Sequence, residues 1–305
     1  MKKSLIALAA AAATGAAFAQ SSVTLYGVAD IGFQKVTGVS AKLNSSSTLN
    51  NGTSRWGVRG VEDLGGGLKA SFNFEQGLSL DDGAASSGFA RAAYMALGGG
   101  FGELSLGRRL NPAHSTAAAW ELTGTANYSA VASQFGAVLN GIRYNNMVMY
   151  TSPSFGGVTL QYAHVLKGDR APSPNKATND LSLRYAAGPL AVAANYNKNG
   201  EDSEGSWHVG GRYDFGFVKV AASYIDPKNT AKGFTVGASA PFGPFTFTVD
   251  LARDTKAKDT DLVVESKYAL SKRTFFYAAY LNDGNKKAGA LGGKNGFGLG
   301  VRHNF

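Results

Sequence analysis

Eleven basic residues fall on the polar phase of segments that alternate apolar with polar side chains: Arg55, Arg59, Lys69, Arg91, Arg109, Arg143, Arg184, Arg212, Lys219, Lys267 and Arg302. Seven acids share that phase: Asp30, Glu75, Glu103, Asp180, Asp214, Asp250 and Glu265. Residues two apart point to one face of an extended chain, so these charges line a common surface on which positive exceeds negative. Such a surface attracts anions. Bond-making chemistry finds much less. The four histidines, His114, His164, His208 and His303, lie in separate segments, and no HExxH, GxSxG or P-loop spacing occurs. Gly98-Gly99-Gly100 reads as a turn rather than a phosphate cradle. With no Cys at all, thiol catalysis, disulfides and cysteine zinc sites are excluded. Nothing selects a Ser, His and Asp set, a metal site or a cofactor motif, so the expectation is a protein that is not an enzyme, holding no metal and no cofactor.

The elements that position these charges are strands. The 305 residues are 44% hydrophobic but only 17% charged, with 40 Gly, 18 Phe and 13 Tyr. That charge content is below the roughly 25% of soluble domains, while the aromatics exclude a disordered chain. Val23, Leu25, Ala29, Ile31 and Phe33 alternate with polar neighbours, as do Leu68, Ala70, Phe72 and Phe74, and Phe245, Phe247, Val249 and Leu251. No window carries a 3.6-residue stripe. Tight junctions recur near Gly66, Gly100, Gly156, Gly188, Gly216, Gly243 and Ser271-Lys272-Arg273, and between most of them lies a longer polar stretch. Seven short turns joining eight hairpins give sixteen strands with unequal loops at the two ends. This predicts an all-β fold: an antiparallel transmembrane barrel. A soluble two-sheet sandwich would also alternate. It leaves the loop asymmetry unexplained, as well as the tyrosines at strand ends (Tyr150, Tyr162, Tyr185, Tyr213, Tyr224, Tyr268) that suit a membrane interface.

Residues 1–19 read as a signal peptide. Met1-Lys2-Lys3 is the basic start, Leu5 to Ala13 the apolar run, and Ala17-Phe18-Ala19 the small-residue cleavage site. The domain proper is then 20–305, exported and destined for the bacterial outer membrane. The net charge of +9 would also suit nucleic acid, but export and membrane strands argue against that partner.

Several segments together carry a resemblance: Leu25-Tyr26-Gly27-Val28-Ala29-Asp30; the run from Ser54 through Leu68; Phe101-Gly102-Glu103-Leu104-Ser105-Leu106-Gly107-Arg108; Tyr150-Thr151-Ser152-Pro153; Leu270-Ser271-Lys272-Arg273-Thr274; and Val301-Arg302-His303-Asn304-Phe305. In this order they resemble the sixteen-stranded general porins of Gram-negative outer membranes, in particular the basic, anion-preferring type. The resemblance implies a water-filled pore for passive diffusion of small anions and hydrophilic solutes. It also implies a third loop folded into the lumen. The interval between Gly100 and Gly156 is 56 residues, about 25 more than the others, and its surplus, 110–140, holds Glu121 as the only acid. A short helix is predicted over Ala117-Ala118-Ala119-Trp120-Glu121. By motif match Arg55, Arg91 and Arg143 would form the basic ladder facing that loop, with Arg59 in phase beside Arg55, and the single Glu121 would leave the constriction favouring anions. Porins of this type are homotrimers in outer-membrane lipid, and Arg108, on the outer phase, resembles an arginine that pairs with an adjacent subunit. The alternative for Arg108 is a rim residue snorkelling to water. Phe305 resembles the terminal signal read by the barrel-assembly machinery. The competing functions are a selective channel for phosphate or organic acids and, further off, a plugged barrel with an adhesive or enzymatic role.

Overall fold

The computed structural model describes residues 21–136, 142–168, 177–200, 204–227, 231–284 and 291–305. The signal segment 1–19 lies outside them. Sixteen long antiparallel strands form a closed ring: β1 (Ser22–Val36), β3 (Arg55–Gly65), β4 (Leu68–Gly77), β5 (Ala92–Gly99), β6 (Gly102–Leu110), β7 (Arg143–Thr151), β8 (Val158–Val165), β9 (Thr178–Ala187), β10 (Leu190–Asn199), β11 (Ser206–Asp214), β12 (Lys219–Asp226), β13 (Gly233–Phe242), β14 (Phe245–Asp254), β15 (Asp259–Ala269), β16 (Thr274–Asn282) and β17 (Asn295–Asn304). The extra strand, β2 (Lys42–Asn44), is only three residues long and pairs with Gly32–Gln34 of β1. It lies in the connection between β1 and β3, and three residues are too few for alternation to register. All seven short turns lie where the glycine and serine junctions place them.

Closure runs through β1, whose two halves have different partners. Ser22 to Val28 pair with Val61 to Arg55 of β3, and Val28 to Val36 pair with Asn304 to Gly296 of β17. The backbone amide of Gly27 donates to the Phe305 carbonyl at 2.9 Å, and the Phe305 amide returns the bond at 3.1 Å. The sheet thus closes on itself through β1, as hydrocarbon requires of a spanning sheet.

The two faces reverse the arrangement of a soluble protein. On β9 the side chains of Asp180 and Ser182 are 0% exposed, while Leu181 and Leu183 are 44% and 51% exposed. A sandwich would bury the leucines. Leucines turned out to lipid and polar groups turned inward are the pattern of a barrel whose solvent lies inside.

The space inside is partly filled by loop 3, described over 111–136. It contains α1 (Pro112–Trp120) and α2 (Ala130–Phe135). Helix α1 begins five residues before the expected helix and ends at Trp120: Asn111 caps it by accepting from the His114 amide at 2.8 Å, and Pro112 occupies its first turn. α1 packs on β9, β10 and β11, and α2 on β14 and β15. Trp120, Tyr128 and Phe135 are fully buried between loop and wall. The loop folds into the lumen as the sequence resemblance implied.

Candidate functional site

Loop 3 leaves the opposite arc of wall open, and there the basic residues gather. Glu75 on β4 is the pivot. Its carboxylate accepts from Arg91 Nε at 2.7 Å and from the Tyr26 hydroxyl at 3.0 Å, with Arg55 Nε at 3.5 Å. Arg143 at the start of β7 donates from Nε to the Arg91 carbonyl at 2.8 Å, and Arg55 Nη1 donates to the Thr53 carbonyl at 2.9 Å. Arg143 feels the positive charge of Arg91, Arg108 and Arg55, and Arg55 that of Arg91 and Arg302. Arg55, Arg91 and Arg143, named from the motif, are thus brought together. Arg59 lies further along the inward face of β3, its guanidinium over the Tyr26 ring at 5.1 Å from the centroid.

Arg302 on β17 extends the arc. Its Nη1 donates to Asn51 Oδ1 at 2.8 Å and its Nε to Asn304 Oδ1 at 3.3 Å. Strand phase put Arg302 inside, but only the fold of loop 1 (37–54) shows that it reaches the cluster. Asn51 is the tie. Besides accepting from Arg302, its amide donates to the Tyr128 hydroxyl of loop 3 at 2.8 Å and to Glu265 Oε2 at 3.4 Å. No sequence pattern marked Asn51 or Tyr128 for this role, because both act through contacts between separate loops.

Glu121 does not face this arc. It is buried at 3% exposure and closes a turn within loop 3: its carboxylate accepts from the amides of Thr123 at 3.0 Å and Thr125 at 2.6 Å, and from the Thr123 hydroxyl. It therefore sits behind the loop instead of lining the pore. Most of the inward acids are covered likewise. Asp30 accepts from the Gly52 amide at 2.8 Å and the Tyr277 hydroxyl at 2.6 Å. Asp180 accepts from Asn195 Nδ2 at 2.6 Å and lies beneath α1. Glu265 accepts from the Tyr128 hydroxyl and pairs with Lys267 at 3.0 Å.

His114, on α1, faces a cleft of about 350 Å³ between loops 1 and 3, shared with Ser46, Thr53 and Asn127. Burial, with Arg143 and Arg91 nearby, pushes its imidazole down to about 4, so at neutral pH it is an uncharged polar group. On the outer face, Arg108 donates from Nε to the Ala90 carbonyl and from Nη1 to Asn145 Oδ1, both at 2.5 Å. A bulge sets two residues, Asn145 and Asn146, against it. Phe305 is half exposed on the same outer side as Phe297 and Leu299. Among the described residues no group of three or more His, Asp or Glu gathers as metal ligands.

A water-filled ring narrowed by an inward loop is the architecture of a diffusion channel, and the sequence matches the family described as Gram-negative porin over residues 5–288. The chain is a Gram-negative porin. It is 33% identical to outer membrane porin protein 32 of Delftia acidovorans across the whole of both chains. It is 35% identical over 288 residues to an outer membrane porin protein of Bordetella pertussis, an alignment covering 80% of this chain and 74% of that one. Among solved structures, the porin superposes on an anion-selective porin from Comamonas acidovorans with a TM-score of 0.77 at 27% identity, covering 94% of this chain and 100% of the other. The porin resides in the outer membrane and forms a channel there.

Proposed function

We propose that this porin conducts small hydrophilic solutes passively and prefers anions, through Arg55, Arg59, Arg91 and Arg143 with Arg302 beside them, and that it has no catalytic role. The observation that carries the preference is that, among the described residues, one carboxylate pairs with the arc: Glu75 answers Arg55 and Arg91, while Asp30 and Glu265 lie buried under loops 1 and 3. Guanidiniums in a confined aqueous passage concentrate anions, and arginine keeps its charge even among other cations. The anion-selective relative from Comamonas acidovorans supports the same reading. The test is reversal potential across a KCl gradient in a planar bilayer. A chloride-favouring potential is expected, and Arg55→Glu or Arg143→Glu should lower the anion-to-cation permeability ratio. An unchanged ratio in both variants would remove the arginines from the selectivity filter.

The remaining assignments belong to the same proposal. Residues 1–19 direct export and are removed. The working unit is a homotrimer in outer-membrane lipid, as in the solved trimer form of OmpT from Vibrio cholerae, which shares the fold. Arg108, already held by Ala90 and Asn145, presents its remaining donors to a neighbouring subunit on the outer face, where an unpaired guanidinium in lipid is costly. Phe305 serves as the recognition end for the barrel-assembly machinery.

A further inference from the structure

Phe275 is an aromatic ring on the water side of β16. Neighbouring Phe276 is half exposed on the lipid side, and the register sets Phe275 opposite Arg302, whose other neighbour is Asp30. Two cations stand over the ring, Lys267 Nζ at 5.9 Å and Arg302 Cζ at 6.0 Å from its centroid. Both distances are at the far limit of cation–π attraction, so neither cation covers the ring closely. The two cations differ in what they have left to offer. Lys267 is neutralised by Glu265 at 3.0 Å and donates to the Thr123 carbonyl at 2.8 Å. Arg302 has no carboxylate within ion-pair distance among the described residues, and its bonds to Asn51 and Asn304 use two of five N–H groups. On the polar face of the wall, a guanidinium with donors to spare, its nearest charge the Asp30 opposite, therefore stands beside a half-buried phenyl ring.

The geometry points to a binding station for aryl carboxylates, with the carboxylate on the free edge of Arg302 and the planar ring against Phe275. The assignment rests on the anion-preferring channel proposed above and names a solute class for it. Carboxylate and guanidinium match as a planar, charge-assisted pair, and an aromatic pair adds attraction beyond the area it buries. An inorganic anion uses only the first of these contacts. The lumen repeats the theme at Tyr26 with Arg59 and at Tyr94 with Arg109, the latter pair at 4.4 Å. There, however, Arg109 is bound to Glu103 at 2.8 Å, and the Tyr26 hydroxyl is spent on Asn73 and Glu75. Phe275 has no polar atom to commit; its ring meets Tyr277 edge-on at 6.4 Å and packs in part against the buried cluster, and it remains half-buried rather than covered.

The experiment compares benzoate with cyclohexanecarboxylate, equal in charge and close in size, as interrupters of chloride current through single channels of the folded porin. Benzoate is expected to reside about threefold to tenfold longer. In Phe275→Leu and, run alongside, Phe275→Ile, that difference should vanish while the KCl reversal potential stays at the wild-type value; Phe275→Tyr should retain it. Equal residence of the two acids in the wild type would overturn the station, as would a difference that survives in whichever of the two aliphatic variants folds. A potassium-favouring wild-type potential would instead overturn the anion preference, so the two failures are told apart.

Discussion

Glu75 decides how much of the arginine charge the passage feels. Glu75→Gln removes a carboxylate bonded to Arg91 and close to Arg55, and the anion-to-cation permeability ratio should rise, the opposite of Arg143→Glu. A fall in the bilayer reversal potential toward zero would show that Glu75 acts by holding the arginines in place. His114 gives a pH effect of definite sign. An ordinary imidazole titrates near 6.5 and His114 near 4. Between these values the unfolded chain takes up a proton that the folded chain refuses, so stability is fully present above 6.5 and falls as the pH drops toward 4. Protonation there also places a cation beside Arg143 and Arg91. Cleavage of loop 3 by protease should increase from about pH 7 to about pH 4.5 in the wild type and change less in His114→Gln. At this scale the sequence was legible in part. Strand phase fixes which way Arg302 and Lys267 point, but it says nothing of Asn51, whose bonds join loop 1, loop 3 and β17. Glu121 shows the same limit: its type and isolation in 110–140 are visible in the sequence, whereas the turn that hides it is made by the local backbone path.

The element that shapes the channel is loop 3, and its anchorage is aromatic. Trp120 ends α1 and lies on Gly210 of β11, where a Cβ would come within 2.6 Å of the indole. The glycine makes room for the ring. Trp120→Ala should remove burial worth about 3–5 kcal/mol and free the loop from β9–β11. The expected readout is larger and noisier single-channel steps, with the barrel itself still folding; unchanged steps would mean that α2 alone holds the loop. The strands were the most legible elements, because each has one lipid face and one wet face and so alternates strictly. Helix α1 was half legible. The Ala-rich run marked its end, but Asn111-Pro112, a capping residue followed by a first-turn proline, is the signal that marks its start. The short β2 left none.

For the molecule as a whole, the sign of the wall depends on what the loops cover. Asp30, Asp180 and Glu265 are all inward, and all are buried beneath loop 1 or loop 3. Replacing loop 3 with a short turn should therefore do two things at once: raise conductance, and weaken anion preference as Asp180 and Glu265 meet water. A reversal potential unchanged by that deletion would place all selectivity in the arginines. The number and connectivity of strands could be read from turn spacing alone. The closure of β1 onto both β3 and β17, and the covering of acids, could not, since both are set by residues distant in sequence.

The short turns and long loops at opposite rims carry a consequence for how such a chain can vary over generations. Each long connection leaves one strand and returns on its hydrogen-bonded neighbour, so its ends are already fixed, and doubling its length costs only about 0.6 kcal/mol. Connections that touch nothing inside are free to drift in sequence and length under pressure from outside the cell. Loop 1 and loop 3 are not, because Asn51 and Tyr128 bind each other and the wall. A population of such chains should accordingly differ most at its outward connections and least where two of them have turned inward and interlocked.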